Sequence, residues 1–167
     1  EDNTIVISED VSLSNLQDIV FDSLFNNNDY TVYIYADYDL DDGEGVRNDA
    51  LLATTTFTTP KREIEEISTE TVNLTEDSLT LSIDATQLFD SVIVDNMRIK
   101  AIDSASGELL KSSDLLTQQL TFKLNQLYAN QTIDIEIEVT YDLEDGQDLR
   151  TEVLHESSFT TMSNAIP

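Results

Sequence analysis

The sequence contains no cysteine and no tryptophan, and only two prolines, four glycines and one histidine occur among its 167 residues. Without cysteine, a disulfide scaffold and a thiolate metal site are excluded. The sequence also lacks the GxSxG and HExxH motifs and a glycine-rich phosphate loop. Acidic pairs of the kind used in glycoside hydrolysis are numerous, but no spacing singles one out. We therefore do not expect an enzyme.

Basic residues are also scarce, because 8 lysines and arginines stand against 34 acidic residues, for a net charge of −26. Such a chain repels phosphate backbones, so nucleic acid is not an expected partner. No apolar run approaches the ~20 residues that span a bilayer, so membrane insertion is not expected either. Cations, cationic surfaces and neutral sugars remain as partners. Alternatively, the charge simply keeps an extracellular protein soluble.

An acidic, glycine-containing corner occurs twice in the chain, as YDLDDGEG at Tyr38–Gly45 and as YDLEDGQD at Tyr141–Asp148. The match extends from Leu24–Arg47 in the first copy to Leu127–Arg150 in the second. Further on, TTFTTP matches SSFTTM after the deletion of one residue. A repeat of this length predicts two copies of one supersecondary unit.

The segment before each corner alternates between apolar and polar residues, which predicts a strand with one buried face. The residues predicted to face inward are Tyr30, Val32, Ile34, Ala36 and Tyr38 in copy one, and Ile133, Ile135, Ile137, Val139 and Tyr141 in copy two. An Asp-Gly pair then supplies a hairpin turn. The second strands of the two hairpins are predicted at Ala50–Thr58 and Glu152–Thr160.

Five further strands are predicted between the two hairpins. Their bounds are Glu63–Leu74, Ser78–Ala85, Met97–Ile102, Leu109–Leu115 and Leu120–Leu127. With the second hairpin they make seven short strands in about 100 residues, a pattern typical of an antiparallel β-sandwich. The predicted fold class is therefore all-β.

The chain resembles the fibronectin type III family. Leu24, Asn27 and the segment Tyr30–Ile34 resemble the leucine-and-tyrosine corner that precedes the sixth strand of that family. More narrowly, TEDSLTLSIDAT, IKAIDSASGELLKS and the YDLxDG hairpin resemble fibronectin-like, or bacterial immunoglobulin-like, modules of Gram-positive surface proteins and phage tails. The second copy departs from the pattern, because Ile133 occupies the position of the corner tyrosine.

The repeat also predicts the domain organisation. Residues 61–167 match a complete module, and residues 1–60 match only the C-terminal half of one, whose first three strands would lie upstream. In the half module the strands from Thr4 to Thr58 would leave an apolar face uncovered, formed by Ile19, Phe21, Tyr30, Val32, Ile34 and Phe57. We therefore expect the fragment to dimerise or to exchange strands through the half module.

The acidic residues around the first corner form one candidate site. Asp37, Asp39, Asp41 and Asp42 offer the carboxylate oxygens that calcium prefers, and DYDLDDG nearly spells the start of a calcium loop with one residue too many. The alternative is a solvated turn that uses aspartate for hairpin geometry. Calcium is the one cofactor considered, and no other is expected.

Tyr33 and Tyr35 form the second candidate site. They are predicted to point outward on the strand where copy two has Glu136 and Glu138. Outward aromatic side chains can stack on sugars or pack against a protein. Alternatively, they are flanked by side chains of the strand expected upstream.

The resemblance implies a function as well as a fold. It points to a structural or adhesive spacer segment of a secreted bacterial surface protein, extracellular and on the cell surface. The alternatives are a module that binds a carbohydrate or protein ligand and a structural component of a phage tail, which would place the chain in a virion.

Overall fold

The computed structural model describes residues 8, 10, 19–115 and 117–164. The chain divides into two compact units, Glu1–Thr59 and Pro60–Pro167. They are called unit 1 and unit 2 below.

Unit 1 contains a β-hairpin made of β1 (Asp29–Tyr38) and β2 (Arg47–Thr58). The two strands pair antiparallel from Asp29 opposite Thr58 to Tyr38 opposite Arg47. The predicted hairpin is confirmed, but β2 begins three residues before the predicted Ala50, because the ladder continues as far as the first residue after the loop.

Unit 2 is an antiparallel β-sandwich of seven strands and one short helix. Its elements are β3 (Ser68–Leu74), β4 (Ser78–Asp84), α1 (Thr86–Ser91), β5 (Ile93–Asp103), β6 (Leu109–Asp114), β7 (Gln119–Asn125), β8 (Thr132–Asp142) and β9 (Arg150–Thr160). One sheet has the order β3-β4-β7 and the other the order β6-β5-β8-β9. This is the fibronectin type III-like arrangement expected from the sequence, and the all-β fold class is confirmed.

The core of unit 2 lies between the two sheets and follows the period-two pattern of the sequence. Alternate residues of β8 and β4 are fully buried, while their neighbours on the same strands are partly exposed. The buried side chains of these two strands are Ile133, Ile135, Ile137, Val139, Tyr141, Leu79, Leu81 and Ile83. Burying large apolar side chains stabilises the fold by about 1.5–3 kcal/mol each, so this alternation is the main source of stability.

Because β5 and β8 are neighbours, Arg98 lies opposite Glu138 and Lys100 lies opposite Glu136. The Nζ of Lys100 donates diagonally to Oε2 of Glu138 at 2.8 Å, and the Nε of Arg98 donates to Oδ1 of Asp114 on β6 at 2.7 Å. Acidic residues on the outer face of β8 are thus matched by bases from its neighbour.

Several elements differ from the sequence prediction; β5, for example, begins at Ile93 instead of Met97, and β7 ends at Asn125 instead of Leu127. Residues 86–91 form α1, where no helix was predicted, and this single turn carries the fully buried Leu88 into the core. The first strand of the sandwich begins at Ser68 instead of Glu63. Among the described residues, no helix is long and apolar enough to cross a membrane.

The hairpin of unit 1 is much less buried than its counterpart in unit 2. None of the residues described in unit 1 is fully buried. Of the side chains predicted to face inward, Ile34 is 48% exposed and Phe57 38% exposed. Of the predicted strands from Thr4 to Thr58, the part between Thr4 and Asp18 lies outside the described residues, apart from Ser8 and Asp10. The interpretation of unit 1 as half of a module stays a prediction.

Candidate functional site

The two copies of the acidic corner share an unusual backbone. Asp41 and Glu144, at equivalent positions of the repeat, have φ angles of 54° and 52°. The glycines two residues later, Gly43 and Gly146, have φ angles of 83° and 77°. Side chains rarely tolerate this left-handed region, and glycine adopts it freely. The two copies of the repeat therefore share a loop conformation as well as a similar sequence.

The strands that lead into and out of the corner are also joined by the same hydrogen bonds in the two copies. In copy one the backbone N–H of Thr59 donates to the carbonyl of Asn28 at 2.9 Å, and in copy two Thr161 donates in the same way to Gln131 at 2.9 Å. Each threonine hydroxyl also donates upstream, to the carbonyl of Phe25 at 2.6 Å and of Tyr128 at 2.5 Å. Both ladders carry an irregularity at the same place, after Ile34 and after Ile137.

Most of the aspartates predicted as calcium ligands accept hydrogen bonds within the hairpin. Oδ1 of Asp39 accepts from the backbone N–H of Asp41 at 2.9 Å. Oδ1 of Asp42 accepts from Glu44 at 3.1 Å, and Oδ1 of Asp37 accepts from Asp49 at 2.8 Å. The bonds of Asp39 and Asp42, to the backbone two residues ahead, are the usual reason for aspartate in turns, whereas the bond of Asp37 crosses the hairpin to β2.

Copy two uses its acids in the same way. Oδ1 of Asp142 accepts from the backbone N–H of Glu144 at 2.7 Å, and Oδ1 of Asp145 accepts from Gln147 at 3.2 Å. The repeated acidic residues thus hold the shape of the loop in both copies.

An arginine closes each corner. The Nη2 of Arg47 donates to Oδ2 of Asp42 at 2.9 Å, and the Nη2 of Arg150 donates to Oδ2 of Asp145 at 2.7 Å. In the second copy the hydrogen bond from Arg150 lowers the pKa of the Asp145 carboxyl, and the same bond raises the pKa of Arg150. The cation that meets these carboxylates in the structure is therefore a side chain of the chain itself.

The structure places Asp37, Asp39, Asp41 and Asp42 in and beside one loop. Within the described part of the chain, however, no three histidine, aspartate or glutamate side chains are grouped so that they could hold a metal ion. Calcium binding stays a prediction.

The tyrosines of the second candidate site lie side by side on β1. Tyr33 is 53% exposed and Tyr35 is 56% exposed, and their ring centroids are 6.4 Å apart. On the opposite face of the hairpin, Tyr30 stacks on Phe57 at 5.7 Å. The structure therefore brings the two predicted residues together on one open, aromatic face.

The corner that carried the family resemblance is present in copy one, where the backbone N–H of Phe25 donates to the hydroxyl of Tyr30 at 2.8 Å.

Two other hydrogen-bonded contacts were not predicted, and the first is centred on Asp103. The Oδ1 of Asp103 accepts from Ala105 and Ser106, and its Oδ2 accepts from Gln131, which lowers the pKa of Asp103.

The second unpredicted contact joins the two sheets of unit 2. The only histidine of the chain, His155 on β9, lies with its Nε2 3.0 Å from the Oγ1 of Thr69 on β3. No sequence signal identifies such a pair, because its members are far apart in the chain and lie in different sheets. The pair links an edge strand of one sheet to an edge strand of the other, which is a structural role.

No protein-family model matches the sequence, and no curated protein matches it. A redesigned β-sandwich protein is similar in structure, with 16% identity, coverage of 61% of this chain and 99% of that chain, and a TM-score of 0.45. Domains d3–d4 of the rat CD45 extracellular region have 15% identity, coverage of 96% and 78%, and a TM-score of 0.41. The chicken CNTN1 FN1–FN3 domains have 12% identity, coverage of 84% and 43%, and a TM-score of 0.43.

Proposed function

We propose that the chain is a structural or adhesive spacer segment of a secreted bacterial surface protein, built from β-sandwich modules. The observation that carries this proposal is what the repeat preserves. Both copies keep the loop conformation, the backbone fastenings and the arginine clamp. The outward side chains of the strand differ, with Tyr33 and Tyr35 in one copy and Glu136 and Glu138 in the other. A repeat that keeps its framework and varies its surface suits a scaffold.

The interior of unit 2 supports the same function. Its core side chains come from both sheets and are packed to almost complete burial. A module of this kind can be joined in series, because each copy brings its own core. The extracellular setting rests on the motif resemblance to modules of Gram-positive surface proteins, together with the acidic composition. A phage tail would make the same demands on the module.

The spacer function predicts that unit 2 resists extension as one cooperative body. When the chain is pulled from its two ends, unit 2 should open in a single step that lengthens the molecule by roughly 350 Å, at about 3.3–3.6 Å per residue. Single-molecule force spectroscopy measures this step. Gradual lengthening without a discrete event would contradict the proposal.

The exposed aromatic pair favours a ligand-binding module as the second candidate. Tyr33 and Tyr35 present two neighbouring rings on which a sugar can stack. On a glycan array, binding that is lost in Tyr33→Ala and kept in Tyr128→Ala would establish this function, since Tyr128 is 78% exposed in unit 2. An array on which no glycan is retained would speak for the spacer.

A further inference from the structure

The strand β1 has β2 as its one neighbour among the described residues. Because the carbonyl of Asn28 accepts from Thr59, the even-numbered residues of β1 direct their backbone groups toward β2, and the odd-numbered residues direct theirs away from it. Tyr33 and Tyr35 therefore present their backbone N–H and C=O groups at the edge of β1 that no described strand covers, which is called the open edge. An open edge of this kind is a template for another strand.

In unit 2 the equivalent edge of β8 is occupied by β5. There the bases Arg98 and Lys100 lie opposite the acids Glu138 and Glu136. In unit 1 these two acidic positions hold tyrosines, so a strand that carries bases finds no counter-charge. The strand that fits β1 is one with aromatic or neutral side chains on its outer face.

The strand β1 itself has this property. If two copies pair antiparallel about Ile34, Tyr33 lies opposite the partner's Tyr35, and Val32 lies opposite the partner's Ala36. Thr31 then faces the partner's Asp37, and the acids that face one another, Asp29 and the partner's Asp39, lie at the very end of the paired segment. From Tyr30 to Tyr38, the pairs formed across the axis are aromatic, apolar or singly charged. The hydrogen-bonding edge also agrees, because both tyrosines have odd numbers and direct their backbone groups outward.

We propose that two copies of this chain associate through β1 in this register, so that the two hairpins form one four-stranded sheet with the order β2-β1-β1-β2. The interface is isologous, as expected for a twofold dimer. Tyr33 and Tyr35 are its anchors, because aromatic pairs across neighbouring strands stabilise a sheet. The apolar faces around Ile34, 48% exposed in one copy, become one continuous surface.

The second hairpin shows why this edge is specific to unit 1. In the same register, β8 would place Glu136 opposite a partner's Glu138, and like charges directly opposite one another are destabilising. The exchange of two glutamates for two tyrosines is therefore the difference between a strand that needs β5 and a strand that accepts its own copy.

A cross-linking experiment on the whole chain tests the register. The chain has no cysteine, so Ile34→Cys introduces a single thiol that lies on the twofold axis. Directly opposite residues of a pair that is not hydrogen-bonded are about 4.5 Å apart between Cα atoms, within the range of a disulfide. In Val32→Cys the two thiols lie four residues apart along the strands, about 13 Å, and cannot join. We expect a cross-linked dimer from Ile34→Cys alone.

A second pair of variants tests the anchors. Tyr33→Glu with Tyr35→Glu copies the charges of β8 and should weaken the dimer at least about tenfold in sedimentation equilibrium at ~0.15 M salt. Val72→Glu with Tyr128→Glu adds the same two charges at exposed positions of unit 2 and should leave the dimer unchanged. A monomeric wild-type chain at all concentrations would overturn the proposal. So would a dimer that cross-links through Val32→Cys or that withstands the two glutamates at Tyr33 and Tyr35.

Discussion

Asp145 and Arg150 close the second hairpin more tightly than Asp42 and Arg47 close the first. The side chain of Asp145 is 12% exposed and that of Asp42 is 37% exposed, with similar distances to the arginine. A carboxylate withdrawn from water depends more on its cation than one that is still solvated. The same aspartate–arginine pair of the repeat therefore contributes differently to stability in the two units.

Arg150→Ala should accordingly raise the pKa of the Asp145 carboxyl from its depressed value, because the hydrogen bond from Arg150 is the main cause of the depression. A depressed pKa stabilises the fold above the unfolded value of about 3.9, and this stabilisation is lost as the pH falls through the folded value. The variant should therefore lose stability at neutral pH and show a smaller further loss in acid. NMR titration and thermal unfolding measure the two effects.

Arg47→Ala is the matched control in unit 1. We expect it to change stability less than Arg150→Ala, since the pair it breaks is more exposed. Equal losses in the two variants would show that burial does not set the strength of the clamp.

The hairpin loop shows how far residues can be predicted from sequence. The clustering of Asp37, Asp39, Asp41 and Asp42 was visible, and so was the Asp-Gly turn. What could not be read from the sequence is which carboxylate oxygens accept backbone N–H groups, because this depends on the positive φ of Asp41. A calcium-binding loop and a turn whose aspartates bond to its own backbone have similar acidic sequences. Only the backbone conformation distinguishes them.

At the level of elements, the long alternating strands were predictable and the short connection was not. The period-two pattern of β8 spans the whole strand, so its inward face followed from the sequence. The segment Thr86–Ser91 has six residues, which is too short for helical periodicity to be recognised. Its helix is set by tertiary packing, since Leu88 needs a place in the core.

The ladder between β5 and β8 predicts the effect of a charge reversal. Lys100→Glu removes the bond to Glu138 and places an acid opposite Glu136, and it should destabilise unit 2 by about 1 kcal/mol. Adding Glu138→Lys should recover part of this loss, as measured by chemical denaturation in a double-mutant cycle. Lys61→Glu, at an exposed position outside the strands, makes the same charge change. A loss as large in this control would mean that net charge, and not the ladder, is responsible.

At the scale of the whole molecule, the net charge of −26 opposes the compact state. Added sodium chloride should therefore raise the melting temperature by screening this repulsion. Calcium at millimolar concentration should raise it beyond sodium chloride of equal ionic strength only if the first hairpin binds the ion. Differential scanning calorimetry with both salts makes the comparison.

Two results of that comparison are informative about the hairpin. An excess effect of calcium that disappears in Asp39→Asn would establish the predicted site. Equal shifts in the two salts would reject calcium binding and leave the acidic loop as a self-bonded turn.

The central ladder of unit 2 also governs how the chain reaches its fold. The pairs between β5 and β8 run from Asp103 with Ile133 to Ile93 with Asp142, with β6 and β7 between them in the chain. Hairpins form within about 1–10 μs, whereas sandwiches that depend on such distant pairs fold in milliseconds to seconds. In that interval β1 and β8, as copies of one repeat, are alternative partners for β5. Arg98 and Lys100 find acidic counterparts at the paired positions of β8 and tyrosines on β1, so the outer face of the strand guards against misfolding between two otherwise homologous hairpins.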